Sequence, residues 1–391
     1  MSTGIKDRAA VVGIGQTAFA RALGESETEL AVEAALVALD DAGIEPAEVD
    51  GLASFTVEST TEVELARNLG LGDVTFFSQV GYGGGGACAT VAHLAMAVAT
   101  GRCRVGLGWR SRKRGSGGRP WARAGLGEQP GADATPRTDD WYRPWGLLRP
   151  VDQVAMLARR YMHEHGVTRE HLANVAITLR AHACRNPAAL MGHRPLDRDE
   201  YMAARWISEP LCLFDNCLES DGALAVVVVP AERAPDCRQR PVYVHAAAQG
   251  FAPQQQAMVD YHRADPLAGA ATACARALWR EADVAPDDVA VAQLYDAFSP
   301  SVLFALEAYG FCGRGEGGEF TDDGGIEWPA GRLPVNTSGG SLSEAYVHGY
   351  NLVLEGVRQL RGTSTCQVEG ADTCLVTSGE SVPTSAVVLR R

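Results

Sequence analysis

Two short segments of this chain place phenols beside other groups that exchange protons. One is NTSGGSLSEAYVHG, residues 336 to 349, where a Gly339–Gly340 turn leads to Tyr346 and His348. The other is LYDAF, residues 294 to 298, where Tyr295 precedes Asp296 at the end of an apolar run. A phenol donates or accepts a proton through one oxygen. With an ordinary pKa near 10 it is a ready acid and a poor base at neutral pH. Taken alone, Tyr295 reads as a half-buried strand tyrosine whose hydroxyl finds a backbone partner. His348 alone reads as a helix-packing histidine.

Other candidate chemistry is weaker. Cys88 follows the Gly-rich run GYGGGG, residues 81 to 86, yet a buried free cysteine more often acts as a small hydrophobe than as a nucleophile. His163, His165 and His171 lie close together with Glu164, but no further ligand stands at metal-binding spacing, so no metal site is expected. GIGQT, residues 13 to 17, lacks the third glycine of a dinucleotide fingerprint. A basic stretch holds Arg110, Arg112, Lys113, Arg114, Arg119 and Arg123.

The elements that must position these groups repeat along the chain. AAVVGIG, residues 9 to 15, reads as a buried strand. Ser26 and Glu29 form a capping-box pattern that opens a helix, and Gly43 stops it. VYVHAAAQG, from residue 242, and the Ala-rich run from about Leu267 to Glu281 repeat that strand and helix. Residues 43 to 55 align with 283 to 295 without a gap, matching Pro46 to Pro286 and Val49 to Val289. The Gly-rich turn and helix of 81–101 recur at 338–362, each followed by an apolar strand. Such alternation implies βαβ units and largely parallel sheets. The expected domains are a half from 1 to 235 and a half from 240 to 391. An insertion from about 109 to 215 is expected in the first half, with 109–148 a long Gly-, Pro- and Arg-rich loop and helices at 150–165 and 169–184.

Composition narrows the partners. The 391 residues suffice for two domain-sized cores. A net charge of −13 argues against general nucleic-acid binding. No apolar run approaches membrane-spanning length, and the N-terminus lacks a signal pattern. The ten cysteines, none in a Cys-x-x-Cys pair, are therefore expected as reduced thiols in the cytoplasm.

The duplicated βαβ halves with Gly-rich turns resemble the thiolase fold, an α/β architecture layered α-β-α-β-α, over nearly the whole chain. By that resemblance the nucleophilic cysteine position falls at about Gly84, the catalytic asparagine at Tyr295 and the turn histidine at Tyr346. The late cysteine turn falls at Ser378 or Gly379. YGGGGACATV, ARRYMHEHG, LYDAF, FCGRGE, SEAYVHG, EGVRQLRGTS and QVEG are similar to a narrower group, the thiolase-like lipid-transfer-protein aldolases of bacterial steroid side-chain degradation.

The resemblance implies retro-aldol cleavage of a β-hydroxyacyl-CoA, such as 17-hydroxy-3-oxo-4-pregnene-20-carboxyl-CoA, to a 17-ketosteroid and propionyl-CoA. It implies Tyr295 and Tyr346 as the catalytic pair, one at each end of the breaking bond, with Asp296 and His348 as second-choice relay members. Backbone N–H groups near Gly84, Gly339 and Gly340 are expected to hold the thioester oxygen. Arg110, Arg112, Lys113 and Arg114 are expected to meet the CoA phosphates. No cofactor is expected beyond the CoA of the substrate. The expected partner is a small OB-fold protein with a zinc ribbon, flanking a homodimer core in a heterotetramer; any zinc would lie in that partner. Alternatives are a condensing enzyme working through Cys88, and a non-catalytic acyl-CoA or sterol carrier.

Overall fold

The computed structural model describes residues 4–117, 143–147, 149–253, 255, 259, 263–265, 267 and 269–391. Arg119 and Arg123 lie outside the described residues.

The N-terminal elements are β1 (Ala9–Gln16), α1 (Glu27–Ala42), β2 (Gly51–Phe55), α2 (Glu62–Leu69), β3 (Phe76–Val80), α3 (Ala87–Ala99) and β4 (Gly106–Lys113). Next come α4 (Pro150–His165), α5 (Arg169–Ala183), α6 (Arg198–Ala203) and the short strands β5 (Trp206–Ser208) and β6 (Leu211–Cys212). β7 (Asp221–Pro230) then returns to the main sheet. It is followed by β8 (Val242–Gly250), α7 (Ala270–Glu281), β9 (Val291–Gln293) and α8 (Ser299–Ala308). The chain ends with α9 (Gly317–Phe320), α10 (Gly340–Ser343), α11 (Tyr350–Arg361), β10 (Thr373–Thr377) and β11 (Thr384–Arg390).

Nine strands form one mixed sheet in the order β3-β2-β4-β7-β1-β8-β11-β10-β9. β2 pairs in parallel with β3 and β4, and β9 with β10, but β1–β7, β1–β8, β4–β7, β8–β11 and β10–β11 pair antiparallel, so the sheet expected to be largely parallel is mixed. The duplication is visible in this order: β2, β4, β7 and β1 are mirrored by β9, β10, β11 and β8. The halves meet at a short β1–β8 ladder, Ala10 with Tyr243 and Val11 with Val242.

α3 and α11 are buried on nearly every side because they lie between the two half-sheets; each contacts strands of both halves. α3 is accordingly apolar on almost every side, whereas α11 carries a buried polar stripe in which Asn351 donates to Glu344 and Gln359 donates to Thr337. α1 covers the outer face of the first half-sheet and α7 that of the second, which completes five layers. α1 starts at Ser26, whose side chain accepts from the Glu29 N–H, and stops at a left-handed Gly43.

The structure corrects one expectation at once. The loop expected from 109 begins as strand: β4 runs to Lys113 in continuous antiparallel register with β7, from Gly106–Val228 to Lys113–Asp221. Alternating arginines disguised it, since charge density in a sequence reads as solvent exposure although Arg110 is fully buried.

Candidate active site

Tyr295 follows β9 and Tyr346 follows α10, and the fold brings their hydroxyls to 2.6 Å. Each residue is only 6% exposed, and the rings meet edge to face with centroids 6.2 Å apart. Main-chain bonds fix both. The Tyr295 N–H donates to Thr377 Oγ1 at 3.0 Å, and the Tyr346 N–H donates to Ser220 Oγ at 2.8 Å.

Glycines leave the space that the Tyr295 ring fills. A Cβ on Gly84 would lie 2.5 Å from Tyr295 Cζ and closer still to its hydroxyl. A Cβ on Gly349 would lie 2.8 Å from Tyr295 Cδ2. The Gly379 N–H donates to the Gly84 carbonyl at 2.9 Å, which ties the first Gly-rich turn to the late one. Two positions that the resemblance matched to cysteines, Gly84 and the Ser378–Gly379 turn, thus converge on the tyrosine pair, and a phenol occupies the room.

Burial pushes both phenols above their ordinary range. For Tyr295 the neighbouring Tyr346 adds to the effect of desolvation. For Tyr346 desolvation is opposed by the Arg114 guanidinium, which lies 4.6 Å from the ring centroid. Of the two, Tyr346 has the surroundings that better tolerate negative charge.

His348 sits in a left-handed conformation, φ 54°, with its ring edge-on to Tyr346 at 5.5 Å. Its Nδ1 accepts from Arg110 Nε at 3.2 Å. Desolvation, then Arg110, Arg114 and Arg112, hold the imidazole neutral well below its ordinary range. A neutral ring that accepts at Nδ1 carries its proton on Nε2. Its contact with Tyr346 is through the ring, not through the phenol oxygen.

Asp296 is fully buried and accepts from the Ser341 and Leu342 N–H groups at 2.9 and 3.1 Å. Burial lifts its carboxyl to about 6 against those two bonds. It anchors the start of α10 and therefore the approach to Tyr346, with no hydrogen bond to either phenol. The Gly339–Gly340 turn faces the same carboxylate: a Cβ on Gly340 would collide with Asp296 Oδ2. The Gly339 N–H is spent on the Asn336 carbonyl at 2.9 Å. The turn expected to cradle a thioester oxygen is instead directed at Asp296.

The basic residues also differ from expectation. Arg110 is fully buried, and its guanidinium donates to Glu58 at 2.8 Å as well as to His348. Lys113 Nζ donates to the carbonyls of Leu23 and Glu25 at 2.7 and 2.6 Å. Neither presents a free cation at the surface for a phosphate. Cys88 is fully buried and its thiol is pushed up to about 12 by desolvation; its Sγ donates to the Val376 carbonyl at 3.4 Å. That is a packing cysteine and not a nucleophile.

A cavity of about 660 Å³ opens beside Arg114 and Cys217. Its lining combines apolar Phe214, Phe298 and Leu342 with Arg21, Arg149, Arg205 and Glu219. An apolar lining with an excess of cations suits an amphipathic anion. Sequence reasoning did not single out Glu58, Ser220, Thr377 or Cys217. These are isolated polar residues whose role depends on contacts about 50 to 130 positions distant. No local pattern marks them.

The Thiolase C-terminal domain-like family model matches residues 253–389. A 17-hydroxy-3-oxo-4-pregnene-20-carboxyl-CoA lyase of Mycobacterium tuberculosis is 48% identical over 389 residues, covering 98% of this chain and 100% of that one. A steroid side-chain-cleaving aldolase of Thermomonospora curvata is 46% identical over 390 residues, covering 97% of each. Among solved structures, the Ltp2-ChsH2(DUF35) aldolase superposes with a TM-score of 0.93 at 45% identity, over 99% of this chain and 98% of that one.

Proposed function

The chain belongs to the thiolase-fold aldolases that cleave steroid side chains, and from that premise we propose how its own residues carry the reaction. It is a carbon–carbon lyase acting on an acyl-CoA. The substrate proposed is 17-hydroxy-3-oxo-4-pregnene-20-carboxyl-CoA or a close β-hydroxyacyl relative, and the products are a 17-ketosteroid and propionyl-CoA.

The observation that carries the site assignment is the 2.6 Å hydroxyl pair of Tyr295 and Tyr346. In the substrate the β-oxygen and Cα are separated by two bonds, about 2.4 Å. Two phenol oxygens at this spacing address both atoms at once. The β-hydroxyl gives up its proton as the Cα–Cβ bond breaks. That bond's electron pair moves into the thioester as an enolate, and a proton returns to Cα. The proton lost from oxygen equals the proton gained by carbon, so the pair hands one proton across and ends as it began. No acyl-enzyme is formed, and no cofactor beyond the substrate's own CoA enters the scheme. Asp296 and His348 position Tyr346 and do not relay.

The arginine-lined cavity is the proposed entrance for the acyl-CoA. The proposed partner is a DUF35-type subunit, the class named in the solved aldolase structure reported above, with an OB fold and zinc ribbon. A homodimer core is supported by the edge strand β3, where Phe77 is 71% exposed; an unpaired apolar edge invites a second copy. No helix among the described residues is long and apolar enough to cross a membrane. All ten cysteines are free thiols, which supports a cytoplasmic enzyme.

The test is incubation of the complex, chain plus partner, with the steroid β-hydroxyacyl-CoA and identification of products by mass. Ketosteroid and propionyl-CoA without added CoA are expected, and Cys88→Ala is expected to retain them. A requirement for CoA, or loss of activity in Cys88→Ala, would favour the condensing chemistry. Intact substrate after prolonged incubation with the complex would leave only the carrier.

A further inference from the structure

Three arginines alternate at 110 and 112 in β4 and at 114 just beyond its end, so their side chains leave the same face of the extended chain. That face looks onto the tyrosine pair. Arg110 is committed to Glu58 and His348, and Arg114 lies over the Tyr346 ring. Arg112 stands between them, and its charge acts on both His348 and Tyr346. Among the described residues its guanidinium makes no ion pair and no hydrogen bond, and its Nε is buried without an acceptor. Glu27, the acid whose charge reaches it, is engaged with the main-chain N–H of Lys113 at 2.8 Å.

A half-buried cation held between two other cations, its Nε without an acceptor and its acid Glu27 shared with the Lys113 main chain, is poised to take an anion that arrives during turnover. The CoA phosphates are the wrong distance away. The pantetheine arm that separates them from the thioester spans about 15 Å when extended, at roughly 1.2 Å per bond. A guanidinium beside the tyrosine pair cannot reach them while the thioester occupies the same place. What forms there is the enolate, with its negative charge on the thioester oxygen.

We propose that Arg112 is a further catalytic residue: its guanidinium receives the thioester oxygen as the enolate develops. Arg110 and Arg114 fix the positive field around that oxygen. This rests on the aldolase reading and deepens it, adding a side-chain cation to the backbone donors expected around the thioester oxygen. A fixed cation aimed where charge develops lowers the barrier without tightening the ground state.

The experiment compares the wild-type complex with Arg112→Met and Arg112→Lys in steady-state cleavage of the steroid β-hydroxyacyl-CoA. Arg112→Met is expected to lower kcat about 100-fold and to leave KM within about threefold. Arg112→Lys, which keeps the charge, is expected to recover at least about tenfold of that loss. The melting temperature should be unchanged in both, because the guanidinium bonds to nothing that holds the fold. An unchanged kcat in Arg112→Met, or a loss confined to KM, would overturn the assignment; the second result would make Arg112 a ground-state binding residue. Equal losses in the Met and Lys variants would also overturn it. A wild-type complex that leaves the substrate intact would remove the aldolase reading itself, an outcome separable from failure of Arg112 alone.

Discussion

Tyr295 Oη and Tyr346 Oη share a 2.6 Å hydrogen bond whose two ends are clamped from different halves of the molecule. Thr377, at the end of β10, holds the Tyr295 main chain, and Ser220, just before β7, holds that of Tyr346. The duplicated fold thus sets the spacing of the pair: neither half alone positions both oxygens. The enclosing shell also has a sign. Desolvation resists ionisation of both phenols, while Arg114 favours charge at Tyr346.

Removing either hydroxyl should stop proton transfer and leave substrate binding. Tyr295→Phe and Tyr346→Phe are each expected to lower kcat about 10³-fold, with KM changed by less than about fivefold. The two losses should not add in the double variant, because one shared hydrogen bond is broken by either change. Steady-state kinetics of the three variants measures this, and full additivity would mean that the oxygens act independently.

Gly84 tests the space rather than the proton. A methyl there must displace the Tyr295 ring, since its Cβ would lie 2.5 Å from Cζ. Gly84→Ala is expected to cost about 1–3 kcal/mol of stability by overpacking. It should also lower kcat about 100-fold, as an ångström of misplacement does. Gly84→Cys, which restores the residue type matched at the thiolase nucleophile, should be equally impaired and should not gain CoA-dependent cleavage. Melting curves and kinetics together separate the two effects.

These residues show how far the sequence could be read. The halves were legible because strand and helix periods repeat with a constant offset: Pro46 and Pro286 open matching turns, and β2 and β9 follow each in register. Tyr295 and Tyr346 were singled out through the resemblance of their motif-rich segments, since Tyr295 alone reads as a strand tyrosine bonded to the backbone. What the sequence hid was the setting of the charges. Arg110 looks like a loop cation until Glu58, 52 positions away, is seen beneath it. The Gly339–Gly340 turn looks like an oxyanion cradle until Asp296 is found filling it. Pairing of buried charge is a long-range property, and no local pattern encodes it.

Glu344 gives the fold a pH dependence of definite sign. Its fully buried carboxyl accepts from Ser338 Oγ and Asn351 at 2.6 and 3.0 Å. Desolvation lifts it to about 7 from 4.5, with Arg358 opposing. Between those values the folded chain holds a proton that the unfolded chain has released. The group's contribution to stability is therefore complete below 4.5, falls as pH rises, and is gone above about 7. The slope should not exceed about 1.4 kcal/mol per pH unit for one proton. Glu344→Gln should flatten that part of the profile, measured by denaturant unfolding at a series of pH values. An unchanged slope would mean that Glu344 is ionised throughout the window in the folded state.

The Glu58–Arg110 pair sits under the site with side chains 2% and 0% exposed. Glu58 also accepts from the Ser111 N–H and hydroxyl at 2.9 and 2.7 Å, so one carboxylate holds two successive residues of β4. Replacing it by glutamine leaves the Arg110 cation enclosed without a counter-charge, beside the two other cations on the same face. Glu58→Gln is expected to cost about 3–5 kcal/mol of stability. Arg110→Met should cost a similar amount, because it strands the carboxylate and removes the donor to His348 Nδ1. The double variant should be more stable than the sum of the single losses predicts, since neither charge is then left alone. A double-mutant cycle by chemical denaturation measures the coupling. In kinetics the double variant should remain impaired even where its stability recovers. Without Arg110 the His348 ring loses its fixed tautomer, and the positive face opposite Tyr346 is reduced by one charge.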